Sequence, residues 1–156
     1  MNLAARVATE DDVGTLVELC RACREELALE RGGSVHVLKE TFAEPLQPYF
    51  EAIVPDDRWL VLLGTIDDVA VGLAVARLDE PPGSLCLASV DVIYVEPPAR
   101  EVGVGETLLG AVTDWAGRHG AAGVDVQVLP GMRSAKNLLE GSGFATRLLV
   151  MHRQLK

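Results

Sequence analysis

The first third of the chain has a short apolar run followed by apolar residues at helical spacing. Residues 3–8 are mildly apolar and predict a first strand. Thr9 then offers a hydroxyl N-cap, and Asp12, three residues later, matches the capping-box spacing at the positive end of a helix. Apolar residues recur at helical spacing from there towards Gly32-Gly33, which predicts a long helix that ends near Glu30.

The next segment, residues 34–55, keeps the helical spacing but contains two prolines. Pro45 and Pro48 each lack an amide proton and crowd the preceding turn, which argues against a single unbroken helix. We predict one short helix, a break, and a second short helix that begins near Pro45.

Beyond residue 58 the pattern changes to apolar runs separated by turn residues. The turns are Asp67-Asp68 and Pro81-Pro82-Gly83, and the short connections predict an antiparallel meander. The three predicted strands cover residues 59–65, 69–79 and 84–95. The third run is apolar on both faces except for Ser89 and Asp91, which is typical of a central strand.

The last third of the chain predicts a strand–helix–strand unit. An amphipathic helix follows the third strand and stops at Gly120, and a strand over residues 124–128 comes next. The predicted buried face of that helix is Val104, Leu108, Leu109, Val112, Trp115 and Ala116. Because a crossover helix joins parallel strands, the sheet is predicted to be mixed. A short helix over 133–140 and a final strand over 146–155 complete the prediction.

Length and composition are those of one folded domain covering residues 1–156. Apolar residues make up 49% of the chain and the mean hydropathy is +0.22, which supplies a substantial core and excludes a disordered chain. No run approaches the roughly 18 apolar residues of a membrane span, and no signal peptide is visible. We therefore expect a cytoplasmic protein with no membrane partner.

Charge is distributed unevenly along the chain. The net charge is −9, which makes binding to nucleic-acid phosphates or anionic lipids unfavourable. Residues 1–99 hold 18 acidic and 7 basic residues, a net charge of −11, whereas residues 100–156 hold 5 acidic and 7 basic residues, a net charge of +2. The two parts are therefore expected to bind differently charged groups.

The three cysteines favour structural thiols over a metal or redox site. Cys20 and Cys23 form a C-x-x-C, but they lie within the predicted first helix, not directly after a strand. No second pair follows, and the three histidines are scattered, so we expect no metal site.

The glycines after the third predicted strand indicate an anion-binding loop. Gly103 and Gly105 let the backbone approach a ligand closely, the first amides of the following helix point outwards without partners, and Arg100 adds positive charge. The dinucleotide fingerprint does not fit, because Leu108 occupies its third glycine position and four residues separate the strand from the loop. The P-loop does not fit either, because no G-K-[ST] is present.

A longer pattern around these glycines resembles a known family. Residues 93–105 read IYVEPPAREVGVG and are similar to the L-x-V-x-P-x-x-[RQ]-x-x-G-x-[GA] signature of the GNAT superfamily of N-acetyltransferases. Residues 135–144, AKNLLEGSGF, resemble the family's A-x-x-L-Y-x-x-x-G-F helix and exit turn. The resemblance implies an α/β (α+β) fold with a mixed central sheet of six to seven strands flanked by about four helices.

The resemblance also implies a binding mode for acetyl-CoA. Arg100 and the loop at Glu101 would meet the pyrophosphate, which would be held by the backbone amides of Val102, Gly103, Val104, Gly105, Glu106 and Thr107. The pantetheine arm would pair with the main chain of Ile93, Tyr94 and Val95, since its amides can satisfy strand groups as a peptide does.

The catalytic groups are less well defined by the resemblance. Leu139 and Met132 replace a tyrosine and an asparagine that are common in the family, so no general acid is assigned. Asp91 is the candidate general base, because burial among apolar neighbours raises the pKa of a carboxylate. The alternative is a structural aspartate satisfied by neighbouring amides.

The function implied is transfer of acetyl from acetyl-CoA to a primary amine of a small molecule or peptide by direct attack on the thioester. The acidic part of the chain suggests a cationic acceptor, and the family resemblance suggests a homodimer. Two alternatives stay open. One is a catalytically weak acyl-CoA-binding or regulatory module of the same fold, and the other is transfer of a longer acyl group.

Overall fold

One sheet of five strands occupies the centre of the part of the chain that the computed structural model describes, residues 1–79 and 85–156. The strands lie side by side in chain order, the first four antiparallel and the last parallel to its neighbour. Their bounds are Leu3–Val7 (β1), Trp59–Ile66 (β2), Val69–Leu78 (β3), Ala88–Val95 (β4) and Val124–Val126 (β5). The predicted turn at Pro81-Pro82-Gly83 and the start of the third predicted strand lie outside the described residues.

Five α-helices accompany the sheet in the described ranges. They are Val13–Ala28 (α1), Gly33–Glu40 (α2), Leu46–Ile53 (α3), Val104–Arg118 (α4) and Arg133–Gly141 (α5). A 3-10 turn leads into α1, and the Asp12 carboxylate accepts a hydrogen bond of 2.8 Å from the Thr9 amide. No helix in these ranges has the length and hydrophobicity needed to cross a membrane.

Apolar side chains are buried on both faces of the sheet. On one face, residues of α1 and α3 pack with Leu63, Leu73 and Val75. On the other face, α4 packs with Leu62 and Ala74. All six residues predicted for the buried face of α4 are at most 6% exposed, because their helical spacing aligns them towards the sheet.

A β-bulge in β4 changes which residues face each layer. Val75 pairs with Val92, and the next residue of β3, Ala76, pairs with Val90, so Asp91 is an extra residue without a partner. Before the bulge, Val90 packs in the α4 layer, whereas Val92 packs in the α1 layer. Simple alternation would have put both on the same face.

The fold class is confirmed, but residues 1–79 and 85–156 form five strands and not six to seven. Residues 146–155, predicted to be the final strand, form none, and Leu149 and Met151 are 79% and 91% exposed. A strand requires hydrogen bonds from a neighbouring strand, whereas β-propensity records only how side chains fit a pleated surface. This segment is linked to β5 by a side-chain ion pair between Arg147 and Asp125. The described ranges contain five helices, as the residue pattern predicts, whereas the family resemblance implied about four.

Candidate active site

The β4 edge that faces β5 is open along part of its length. Only the first three residues of β4, Ala88 to Val90, pair with β5, whereas pairing with β3 on the other edge continues to Val95. The two strands therefore separate after Val90. The backbone groups of Ile93 and Val95 point to this side and have no strand beside them, which leaves a free edge for an amide-bearing ligand.

A strained loop and the start of α4 follow this open edge. Glu101 and Gly103 have positive φ values of 69° and 108°, and the latter suits glycine. The Thr107 amide donates the first helical hydrogen bond, 3.0 Å long, to the Gly103 carbonyl. The amides before Thr107 have no intrahelical partner, and together with the helix dipole they provide an environment that favours an anion.

Gly105 allows α5 to approach this loop. A Cβ built at Gly105 would lie 2.8 Å from Leu138 Cδ2 of α5. The absence of a side chain at Gly105 therefore gives Leu138 room to pack against the first turn of α4.

Arg100 is held in place by three contacts. Its Nε donates a hydrogen bond of 2.7 Å to the Val95 carbonyl, and its Nη2 lies 2.7 Å from Glu26 Oε2 of α1. Its guanidinium also lies 5.5 Å from the ring centroid of Tyr94. Arg100 is thus anchored at the end of the open edge, and Glu26 partly neutralises the charge predicted to meet the pyrophosphate.

A pocket opens where β4 and β5 separate. One wall is formed by the open β4 edge, by the residues after β5 and by α5, including Leu139. Further lining residues come from α1 and α2 with Thr41, and include Arg24 and His36. Asp91 lines the pocket together with Ile93 of the same strand, so the predicted cofactor edge and the candidate base line the same pocket.

Asp91 is bound by an arginine and not by neighbouring amides. Its Oδ2 accepts a hydrogen bond of 2.9 Å from Arg77 Nε, and Arg77 Nη1 binds Asp79 at 2.7 Å. Burial raises the pKa of Asp91 despite the opposing effect of Arg77. No hydrogen bond to Oδ1 is formed within the described residues, and no buried side-chain oxygen there lacks a partner. Oδ1 is therefore accessible.

Leu139 cannot serve as a general acid, and Tyr94 and Tyr49 are packed against other side chains. Leu139 is 7% exposed and lines the pocket without any proton to donate. Burial raises the pKa of Tyr94, which packs in the α1 layer under Arg100, and the pKa of Tyr49, which stacks on Phe42. The thiols of Cys20 and Cys23 are buried, which raises their pKa values to about 11 and about 12.

Sequence reasoning missed Arg77 and Arg24. Arg77 lies on β3 and contacts Asp91 across the bulge, and Arg24 reaches the pocket from α1. In the sequence both look like ordinary charged residues on amphipathic elements. Their roles become visible only from the residues of other elements that they contact.

A sequence profile decides the family. The profile of the acetyltransferase (GNAT) family matches residues 18–144, which is most of the chain. The chain belongs to the GNAT acetyltransferase family. The predicted resemblance is thereby confirmed, and the open β4 edge and glycine loop lie within the matched region of this GNAT protein. No curated protein matches it.

Solved structures share its fold at low sequence identity. A tetramutant of the BH1408 protein from Bacillus halodurans has a TM-score of 0.80 at 18% identity, covering 99% of this chain and 100% of that one. AAC(6')-Iy, in complex with the bisubstrate analogue CoA-S-monomethyl-acetylneamine, has a TM-score of 0.71 at 20% identity over the whole of both chains. The aminoglycoside acetyltransferase meta-AAC0020 from an uncultured soil metagenomic sample, in complex with sisomicin, has a TM-score of 0.72 at 18% identity, covering 99% and 97%.

Proposed function

We propose that this GNAT protein transfers an acetyl group from acetyl-CoA to a primary amine. The observation that carries the proposal is the open β4 edge, which ends beside the unpartnered amides of α4. Similar folds are described with a CoA bisubstrate analogue and with an aminoglycoside, which supports CoA chemistry and an amine acceptor. We propose that residues 1–156 form one acetyltransferase domain and that the protein acts in the cytoplasm. A homodimer stays a prediction from the family resemblance.

The residues present fit the cofactor. We propose that the amides from Val102 to Glu106, with Thr107 and the Glu101 backbone beside them, hold the pyrophosphate. The open edge from Ile93 to Val95 would hydrogen-bond the pantetheine arm. Arg100, anchored at the end of this edge, would add positive charge beside the pyrophosphate. When bound, acetyl-CoA supplies the thioester whose carbonyl the amine attacks.

We assign Asp91 as the proposed base. Its accessible Oδ1 can accept a proton from the amine, directly or through a water molecule, while Arg77 fixes the other oxygen. A backbone amide near Val95 would stabilise the oxyanion. No acid is assigned, since a thiol with a pKa near 8.5 is a tolerable leaving group at neutral pH.

The experiment is to measure release of free CoA thiol from acetyl-CoA in the presence of a panel of amines. We expect release that depends on one class of amine. Tight acetyl-CoA binding without release on any amine would favour the acyl-CoA-binding module, which Leu139 at the pocket wall supports. Faster release from a longer acyl-CoA would favour transfer of a longer acyl group. A protein that does not bind CoA would contradict the proposed cofactor site.

A further inference from the structure

We infer that the acceptor is a small amine that also carries a carboxylate, which Arg24 binds while the amine faces Asp91. The inference rests on the proposed function and specifies its substrate class. It differs from the polycationic acceptor suggested by the charge of the N-terminal part of the chain.

Arg24 is an oriented cation in the pocket wall. Its Nε lies 3.3 Å from Thr41 Oγ1, and Thr41 in turn donates a hydrogen bond of 2.6 Å to the Val37 carbonyl of α2. Thr41 therefore accepts from Arg24 and holds the guanidinium at one end. This arrangement reduces the entropy lost when the other end binds a ligand.

The terminal nitrogens of Arg24 are available for a ligand. Among the residues that the structure describes, no carboxylate forms an ion pair with Arg24. The acidic group Glu44 is electrostatically coupled to Arg24, but both of its oxygens accept hydrogen bonds from Arg21, at 2.7 and 3.1 Å. A guanidinium with two free nitrogens matches the planar geometry of a carboxylate.

The charges that line the pocket are complementary to a zwitterion. Arg24 is the cation and Asp91 is the carboxylate among the described lining residues. His36 also lines the pocket, and burial lowers its pKa, so its imidazole is neutral at pH 7. An acceptor with several ammonium groups would bring positive charge towards Arg24, which is unfavourable in a half-buried pocket.

The test compares free L-amino acids with their carboxamides as acceptors, alongside polyamines and aminoglycosides, in the thiol-release assay. A charge-assisted bidentate contact predicts that kcat/KM for the free carboxylate exceeds that for its carboxamide by roughly 10- to 100-fold. Arg24→Gln should abolish this preference and leave the dissociation constant of acetyl-CoA unchanged. Arg24→Lys should restore part of it, because lysine keeps the charge but not the fork.

Arg21→Gln is the matched control, since Arg21 lies on the same helix and pairs with Glu44. It should keep the wild-type preference. Turnover of polyamines or aminoglycosides without turnover of amino acids would overturn the inference and leave the proposed function intact. Weakened acetyl-CoA binding in Arg24→Gln would also overturn it. If every amine fails although acetyl-CoA binds, the proposed function and this inference both fall.

Discussion

Asp91 illustrates how a single residue acquires chemistry from its surroundings. It is the extra residue of the β4 bulge, its side chain is 16% exposed, and Arg77 binds one of its oxygens. Burial disfavours the charged carboxylate and Arg77 favours it, and burial has the larger effect on its pKa. A raised pKa suits a general base, while the arginine keeps the side chain oriented.

Asp91→Asn should lower kcat/KM by roughly 100-fold or more, the usual contribution of a general base. In the wild-type enzyme, kcat/KM should fall as pH drops through the raised pKa of Asp91, because protonation removes the base. The variant should lack this acidic limb in a pH–rate profile.

Ser89→Ala is the control for the Asp91 variant, since Ser89 binds Asp79 and not Asp91. It should keep both the rate and the acidic limb. A normal rate in Asp91→Asn would exclude Asp91 as the base and leave it a structural partner of Arg77.

At the scale of elements, the start of α4 and the open edge of β4 are the parts proposed to bind the cofactor. Glycine is favoured at Gly103, where φ is +108°, and at Gly105, where Leu138 of α5 lies 2.8 Å from a built Cβ. The two positions differ in what a substitution disturbs. At Gly103 a side chain strains the backbone, whereas at Gly105 it meets the end of a flexible leucine.

Gly105→Asp should raise the dissociation constant of CoA by roughly tenfold or more, because its carboxylate repels the pyrophosphate in the first turn of α4. Gly105→Ala encroaches equally on Leu138 but carries no charge, so its effect should be a few-fold. Isothermal titration calorimetry measures both.

Gly110→Asp places the same charge on the same helix, at an exposed position where a Cβ meets nothing within 4 Å. It should bind CoA as the wild type does. Normal CoA affinity in folded Gly105→Asp would contradict the assignment of this loop.

At the scale of the whole molecule, charged residues from different parts of the chain form ion pairs in the fold. Arg100 pairs with Glu26, and Arg147 with Asp125, while Arg6 binds Asp12 within 2.8 Å. The net charge of −11 in residues 1–99 is therefore not a uniform acidic surface. Among its described lining residues the pocket combines one cation, Arg24, and one carboxylate, Asp91, which is why we infer a zwitterionic acceptor.

Thiol labelling tests the packing of the whole molecule. Cys20 and Cys23 are 1% and 6% exposed, and their raised pKa values keep them protonated at neutral pH, so they should react only when the α1 layer opens. Cys86 is partly exposed. A disulfide reagent at neutral pH should label one thiol promptly in the native protein and three in denaturant.

Cys86→Ala should remove the prompt reaction without changing the total of the other two thiols in denaturant. Prompt labelling of Cys20 or Cys23 in the native protein would contradict the packing of α1 against the sheet.

Local patterns in the sequence determined most elements of this protein and their buried faces. The α4 face from Val104 to Ala116 was predictable because helical periodicity records burial directly. The glycine loop was predictable because backbone access and the amides of a helix start depend on residues that are adjacent in the chain. The family followed from the same segment.

Only the tertiary structure decided how distant residues meet. The bulge at Asp91 depends on register with β3, and the pair between Arg100 and Glu26 joins residues 74 apart. Arg24 enters the pocket because α1 packs against β4. The final predicted strand, residues 146–155, fails for the same reason. A strand exists only where a second backbone pairs with it, and the partner's position is a property of the fold and not of the segment.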